Sequence, residues 1–203
     1  MGQEAAGIVL CGGQSRRMGR AKASLPFGPE TMLARVVRLL GEATEPIVVV
    51  AAPGQALPPL PSPVRIAHDR RADRGPLEGL AAGLHAVGDL AAAAFVTGCD
   101  VPLLVPALVR RLIELSAGYD VAVPHVEGFD QPLSAVYRTT VLARAETLLA
   151  AGRLRPAFLF EQCRVRRVTV EELTAVDPEL QSLANVNSPG DYAAALQRAG
   201  FPA

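Results

Sequence analysis

The residues best suited to chemistry are concentrated in a glycine-rich segment near the N-terminus. Lys22 is the only lysine among 20 basic residues, and the segment it closes follows an apolar run at 7–11. The segment also carries three glycines and three arginines: Gly12, Gly13, Gly19, Arg16, Arg17 and Arg20. Glycine lets the backbone approach a ligand, and a compact ammonium suits phosphate oxygens. Four cations on one loop repel each other unless an anion offsets them, so the pattern favours a polyphosphate site over a loop that only solvates its charges.

The spacing of the glycines disfavours two common phosphate-binding patterns. Five residues separate Gly13 from Gly19, and Arg20 follows, whereas a Walker loop has four residues between its glycines and then a lysine. The glycines do not fit the dinucleotide fingerprint either. A P-loop NTPase and a dehydrogenase are therefore poor interpretations.

Apolar runs alternate with helix-like stretches along the whole chain. Strands are predicted at 7–11, 47–52, 64–67, 93–98, 120–124, 133–137 and 164–169, and helices at 31–43, 76–88, 105–117, 139–151 and 188–199. Such alternation predicts an α/β protein, a single three-layer α/β/α Rossmann-like domain with a mostly parallel sheet. Five prolines between 53 and 63 could mark a domain linker, but the same strand rhythm on both sides favours a stiff surface connection.

The predicted topology places two chemically suited residues together. With right-handed crossovers and the strand order 3-2-1-4, the first and fourth strands are neighbours. The glycine-rich segment follows the first strand, and Asp100 follows the fourth. Ligands bind beyond the carboxyl ends of such strands, so we expect Lys22 and Asp100 to meet in one crevice although 78 positions separate them.

Four segments, in order along the chain, resemble the signature motifs of the molybdenum cofactor nucleotidyltransferases, a branch of the nucleotidyltransferase superfamily. They are 10–19 with Lys22, Asp69 with 75–80, 98–102, and 185–189. The resemblance covers essentially the whole chain. It implies the nucleotidyltransferase fold in one domain, 1–203, with a nucleotide-binding half at about 1–104 and an acceptor-binding half at about 105–203.

The same resemblance implies an activity and a set of site residues. The activity is Mg²⁺-dependent transfer of GMP from GTP to the phosphate of molybdopterin, with release of pyrophosphate. The implied catalytic residues are Lys22, Arg16 and Asp100; the implied nucleotide-binding residues are Leu10, Cys11, Gly12, Gly13, Lys22, Asp69 and Asp100; the implied metal ligands are Asp100 and Asn187.

Each of the polar assignments has a structural alternative. Asp100 offers the carboxylate that Mg²⁺ prefers, but it could instead cap the helix predicted from 105, although it stands several residues early. Asn187 could be a helix cap or a turn residue, a role for which Ser188 competes. Asp69 could accept hydrogen bonds from guanine or ribose, or it could be a solvated acid among neighbouring arginines.

Comparison within the resembled family favours GTP over CTP. Its guanylyl members carry two glycines where Gly12 and Gly13 stand, and a Cys-Asp-x-Pro motif like the one containing Asp100. Cys11 replaces the family's alanine, and Ala51 and Ala52 stand where guanylyl members often have asparagine. The alternatives are CTP, a phospholactate or sugar phosphate acceptor, and a nucleotide-binding protein without turnover.

The acceptor side has weaker candidates than the nucleotide side. Gln131 and Pro132 fall where the family builds that side, as do Arg153 and Arg155. An arginine pair could bind a pterin-linked phosphate, or it could be a solvated face at a helix end.

Charge and cysteine usage restrict the partners. The chain has 20 acidic and 20 basic residues, which gives no global field for nucleic acid or an anionic membrane. No apolar stretch is long enough to span a bilayer, so we expect a soluble, cytoplasmic protein whose partners are GTP and molybdopterin, with molybdoenzymes or their chaperones as candidate recipients. Cys11, Cys99 and Cys163 lack Cys-x-x-Cys spacing, so we expect reduced thiols, with the first two near each other.

Overall fold

The computed structural model of the protein describes residues 5–12, 21–61, 63–71 and 74–202. Its strands are β1 (Ala6–Leu10), β2 (Pro26–Phe27), β3 (Glu30–Thr31), β4 (Ile47–Ala51), β5 (Val64–His68), β6 (Ala93–Gly98), β7 (Val121–Val126), β8 (Phe129–Asp130), β9 (Ser134–Arg138) and β10 (Val165–Val168). Its α-helices are α1 (Met32–Gly41), α2 (Pro76–Val87), α3 (Pro106–Leu115), α4 (Leu142–Ala150), α5 (Val170–Thr174) and α6 (Pro189–Arg198). The predicted strands and helices are confirmed, with ends that shift by at most three residues.

One mixed sheet organises the described residues. Eight strands form it in the order β10-β7-β9-β6-β1-β4-β5, with β8 paired to β7. β1 pairs in parallel with both β4 and β6, whereas β9 is antiparallel to its neighbours β6 and β7. The first four predicted strands therefore have the expected order 3-2-1-4, and β1 and β6 end side by side.

Helices cover both faces of the sheet. α2 and α4 pack on one face against side chains that include Ile8 and Val48. α1 and α3 pack on the other face against Val9 and Val49. Because both faces are covered, every residue of β1 and β4 is buried, which is why these strands read as continuous apolar runs. The predicted α/β fold with three layers is confirmed.

A third, smaller apolar cluster ties the C-terminal helix to the segment after Lys22. The β2–β3 hairpin places Phe27 in this cluster with no exposed surface, and its ring packs edge-on against Tyr192 and Phe201. Val186, just before α6, is also buried there. The hairpin was not predicted from the sequence, because strands of two residues are too short to show a period.

No helix in the described ranges combines the length and the apolar character needed to cross a bilayer.

Candidate active site

Parallel pairing brings the ends of β1 and β6 side by side at one edge of the sheet. Leu10 pairs with Gly98, and the Cys99 N–H donates to the Leu10 carbonyl at 3.0 Å. The chain then leaves β1 through Gly12 and leaves β6 through Asp100. Because both strands end at the same edge, the residues that follow them share one crevice.

Lys22 and Asp100 meet in this crevice, as expected from the sequence. The Lys22 Nζ donates to Asp100 Oδ2 at 3.0 Å, and the two side chains are only 18% and 24% exposed. The same Nζ donates to Asn187 Oδ1 at 2.8 Å. Three segments that are far apart in sequence thus converge on one ammonium group. The roles assigned to these residues stay predictions.

The Lys22 backbone is positioned by the cluster beneath it. Lys22 begins a 3₁₀ turn that ends at Ser24, and Ala23 within the turn is 2% exposed. The Met32 N–H donates to the Leu25 carbonyl at 2.8 Å, which fastens the turn to the start of α1. The Lys22 ammonium is therefore carried by a short turn whose middle residue is buried.

The Asp100 loop is tightly packed, and it does not cap a helix. A Cβ on Gly98 would collide with Asp100 Oδ1, so glycine is needed there for the close approach of the carboxylate. The Arg35 Nε donates to the Pro102 carbonyl at 2.7 Å, which holds the loop from the α1 side. The cap position of α3 is Val105, whose N–H donates to Ser182 Oγ. The alternative of Asp100 as an N-cap is therefore wrong.

Asn187 lies immediately before a helix cap. Ser188 is the N-cap of α6, so the alternative of Asn187 as the cap is wrong. The Val186 N–H donates to the carbonyl of Asp100 at 2.8 Å, which docks this segment directly on the Asp100 loop. Asn185 lies two positions earlier on the same extended segment, and of these two asparagines Asn187 is the one whose side chain contacts Lys22.

Asp69 lies at the other end of the crevice, against two glycines. A Cβ added to Gly12 would lie 3.1 Å from Asp69 Oδ2, and one added to Gly79 would lie 3.4 Å from Oδ1. Among the residues that the structure describes, Oδ1 is buried and has no hydrogen-bond partner. Burial raises the pKa of the Asp69 carboxyl, and the nearby Glu78 raises this pKa further. Asp69 is partly buried, and it makes no ion pair with its neighbouring arginines within the described residues. Its role toward guanine or ribose stays a prediction.

Gln55 is a site residue that the sequence analysis missed. Its Nε2 donates to the Cys11 carbonyl at 3.2 Å, and its Oε1 accepts from the Ala52 N–H at 3.0 Å. The amide thus bridges the ends of β1 and β4 beside Gly12. Nothing in the proline-rich segment around it signalled this role, because the contact depends on how two distant loops meet.

Cys11 and Cys99 behave as the sequence analysis expected. Both thiols are buried, at 5% and 7% exposure, and they end adjacent strands. A hydrogen bond with Cys99, together with burial, raises the pKa of Cys11 far above its usual value. Neutral thiols in an apolar setting act as small packing residues at the floor of the crevice.

The remaining predicted site residues fall into two groups. Gly13 and Arg16, with the rest of 13–20, lie outside the described residues. Arg153 pairs with Glu161 at 2.7 Å and stacks on Phe158, which matches the alternative of a solvated helix-end face. Arg155 is exposed, and the structure gives it no binding role.

The oxygen atoms of the crevice suit a hard cation such as Mg²⁺, whose remaining ligands would be water and substrate phosphates. The Asp100 carboxylate and the Asn187 amide supply two oxygens that already converge on one positive group. The described residues contain no group of three or more His, Cys, Asp or Glu side chains that could hold a metal alone. Mg²⁺ commonly binds through one or two protein oxygens, with water and phosphates completing its shell.

The sequence of this chain is similar to a known protein family and to curated relatives. The family model described as the MobA-like NTP transferase domain matches residues 7–167. A probable molybdenum cofactor guanylyltransferase of Mycobacterium avium (strain 104) is 39% identical over 197 residues, which cover 95% of each chain.

Solved structures show the same fold at lower identity. The crystal structure of molybdopterin-guanine dinucleotide biosynthesis protein A from Archaeoglobus fulgidus superposes with a TM-score of 0.79 at 22% identity, covering 96% of this chain and 98% of that one. A Mycobacterium tuberculosis H37Rv protein crystallised in complex with manganese has a TM-score of 0.64 at 17% identity, covering 96% and 98%.

Proposed function

The chain belongs to the MobA-like NTP transferase family, and on that premise we propose that it is a molybdenum cofactor guanylyltransferase. It transfers GMP from GTP to the phosphate of molybdopterin and releases pyrophosphate. One observation carries this proposal beyond family membership. Lys22 contacts both Asp100 and Asn187, so one ammonium group and two oxygen atoms suited to Mg²⁺ lie together beyond the ends of the strands.

The nucleoside lies toward the β4–β5 side of that point. Gly12 and Asp69 border this side, and the unpaired Oδ1 of Asp69 is a buried acceptor next to the space where a base would bind. A guanine edge offers N–H donors to such an acceptor. The half at about 1–104 therefore binds the nucleotide, and the half at about 105–203 binds the acceptor from the β9–β7 side.

The reaction needs charge compensation more than acid–base chemistry. An oxygen of the acceptor phosphate attacks the α-phosphorus, and the bond from that phosphorus to the bridging oxygen breaks, with its electron pair leaving on pyrophosphate. Both reactants are anions and the attacking oxygen is already ionised, so no side chain must remove a proton. Lys22 holds the β- and γ-phosphates, which places the α-phosphorus for in-line attack.

Asp100 and Asn187 hold the Mg²⁺ that this chemistry uses. Their oxygens fit it by type and by convergence, and the manganese complex of a structural neighbour is consistent with a divalent cation in this fold. When bound, the ion would neutralise the negative charge that develops on the phosphate oxygens during transfer.

The product defines the partners of the protein. Molybdopterin linked to a guanine nucleotide is a cofactor form that molybdoenzymes or their chaperones receive.

Pyrophosphate release tests the proposal. Purified protein with GTP, Mg²⁺ and molybdopterin should release pyrophosphate, and Asp100→Asn should lower the rate by roughly 100- to 1000-fold. Replacing GTP by CTP, or molybdopterin by phospholactate or a sugar phosphate, should reduce release strongly. If GTP raises the melting temperature but no acceptor yields pyrophosphate, the protein is a nucleotide-binding relative without turnover.

A further inference from the structure

The segment that carries Asn187 is held by more contacts than a helix cap requires. Asp191 Oδ2 accepts hydrogen bonds from the N–H groups of Ser188, at 2.8 Å, and Asn187, at 3.0 Å. Ser188 Oγ accepts in turn from the Asp191 N–H at 3.2 Å. The reciprocal bonds between Ser188 and Asp191 form an ordinary capping box. The bond to Asn187 reaches one residue further back, outside the helix.

The other capping box of the chain shows what the minimal motif looks like. At the start of α5, Glu172 Oε2 accepts from the Thr169 N–H at 3.0 Å, and Thr169 Oγ1 accepts from the Glu172 N–H at 3.5 Å. The other carboxylate oxygen of Glu172 pairs with Arg166. The hydrogen bond to a residue before the cap is therefore a feature of α6 and not of this motif as such.

Asn187 is consequently fixed from both sides of its backbone. On one side the Val186 N–H is bonded to the Asp100 carbonyl, and on the other side the Asn187 N–H is bonded to Asp191. With the backbone held, only the two side-chain torsions of Asn187 remain free to place Oδ1. That oxygen is the one that lies 2.8 Å from the Lys22 Nζ.

We infer that Asp191 is a positioning residue of the cation site: it holds the Asn187 backbone so that the Asn187 amide oxygen stays beside the Asp100 carboxylate. This inference rests on the proposed function only for the identity of the cation. Among the described residues, Asp191 is exposed and makes no hydrogen bond with the crevice oxygens. Its hydrogen bonds from the Asn187 and Ser188 N–H groups lower its pKa, and attraction through space to the Lys22 ammonium adds to this shift. Asp191 acts through Asn187, as outer hydrogen-bond partners orient ligands in metal sites.

Asp191 is also the member of this arrangement that can be removed most cleanly. Val186 is 1% exposed, so truncating it would leave a cavity in the third apolar cluster. Asp191→Ala removes a surface carboxylate instead. Asp191→Asn keeps a carbonyl oxygen that can still accept from both N–H groups, so it is the conservative rescue variant.

Manganese binding to the protein saturated with a non-hydrolysable GTP analogue is the main test. Asp191→Ala should weaken Mn²⁺ binding about tenfold, the lower end of the range for outer-shell partners of metal ligands. Asp191→Asn should stay within about threefold of wild type, a difference too small for a lost ligand orientation. Glu172→Ala is the matched control: it removes the carboxylate of the other capping box and should leave Mn²⁺ affinity unchanged. Equal weakening by Glu172→Ala and Asp191→Ala would overturn the inference.

A double-mutant cycle tests whether Asp191 acts through Asn187. If it does, Asp191→Ala and Asp191→Asn should bind Mn²⁺ equally well in the Asn187→Ala background, because both remove the carboxylate charge near Lys22 and differ only in the hydrogen bonds to the Asn187 segment. Weaker binding by Asp191→Ala than by Asp191→Asn in that background would overturn the inference, because Asp191 would then act on the ion other than through the Asn187 side chain.

Amide hydrogen exchange in the free protein tests the inference independently of whether the protein catalyses GMP transfer. In wild type the N–H groups of Asn187 and Ser188 should be protected, and Asp191→Ala should speed their exchange at least about tenfold, since each loses its acceptor. Unprotected amides in wild type would overturn the inference even if pyrophosphate is released. Protected amides without pyrophosphate release would instead count against the proposed function alone.

Discussion

Replacing Lys22 by methionine should have opposite effects on metal binding and on catalysis. In the free protein the Lys22 Nζ lies between the two candidate metal ligands, 3.0 Å from Asp100 Oδ2 and 2.8 Å from Asn187 Oδ1. A metal ion that binds without nucleotide must displace this ammonium. Methionine has a similar length and no charge, so Lys22→Met removes the competitor and leaves both ligands in place.

The size of the effect follows from the separation and the exposure. Two unit charges 3.0 Å apart interact with about 1.4 kcal/mol in water and about 5.5 kcal/mol at an effective dielectric constant of 20. The side chains of Lys22 and Asp100 are only 18% and 24% exposed, so the desolvation cost of the two charges offsets much of this attraction, and a net value near the lower limit is appropriate. About 2 kcal/mol corresponds to roughly 30-fold tighter Mn²⁺ binding by the nucleotide-free variant.

Electron paramagnetic resonance titration of Mn²⁺ measures this change directly. Arg111→Met is the matched control, because it alters the net charge equally but removes a surface pair with Glu114 on α3. Lys22→Met should also lower turnover of GTP by at least about 100-fold, since the phosphates lose a positioned donor. Lys22→Arg should cripple turnover as well, because a planar fork does not replace a point charge between phosphates. If Lys22→Met binds Mn²⁺ no more tightly than the control, or if either Lys22 variant turns over GTP like wild type, the Lys22 ammonium does not have the role assigned to it.

Two further predictions concern the nucleoside end of the crevice. Gly12→Ala should lower kcat/KM for GTP about tenfold with a smaller effect on CTP, since the new methyl group lies 3.1 Å from Asp69 Oδ2 and narrows the space for a purine; equal losses for both nucleotides would contradict this. Asp69→Asn should raise the free energy of unfolding of the nucleotide-free protein at pH 7 by about 1 kcal/mol, because it removes a charge beside an unpaired buried oxygen and Glu78. The folded state raises the pKa of Asp69, so its destabilising effect is present above that folded pKa and disappears as the pH falls below the unfolded value. Urea unfolding at neutral and acidic pH should therefore show the gain shrinking on acidification, and a gain that grows in acid would refute the assigned cause.

The order of the first four strands and the meeting of Lys22 with Asp100 could be predicted from the sequence alone. Continuous apolar runs indicated strands buried on both faces, and the alternation with helices predicted their parallel arrangement. Once the strand order 3-2-1-4 was assumed, the meeting of Lys22 and Asp100 followed, because both come directly after strands that end at the same edge. This information is local: each strand, and each residue after it, can be recognised from its own neighbours.

Tertiary structure decided everything that depends on which side chains face each other. It selected Asn187 over Asn185 as the partner of Lys22, and it brought Gln55 to the Cys11 carbonyl from within a proline-rich connection. It also placed β9 antiparallel within the sheet, and it left Asp69 Oδ1 without a partner. Periodicity records only whether a residue is buried, whereas these contacts arise when segments far apart in the chain pack together and restrict each other's rotamers.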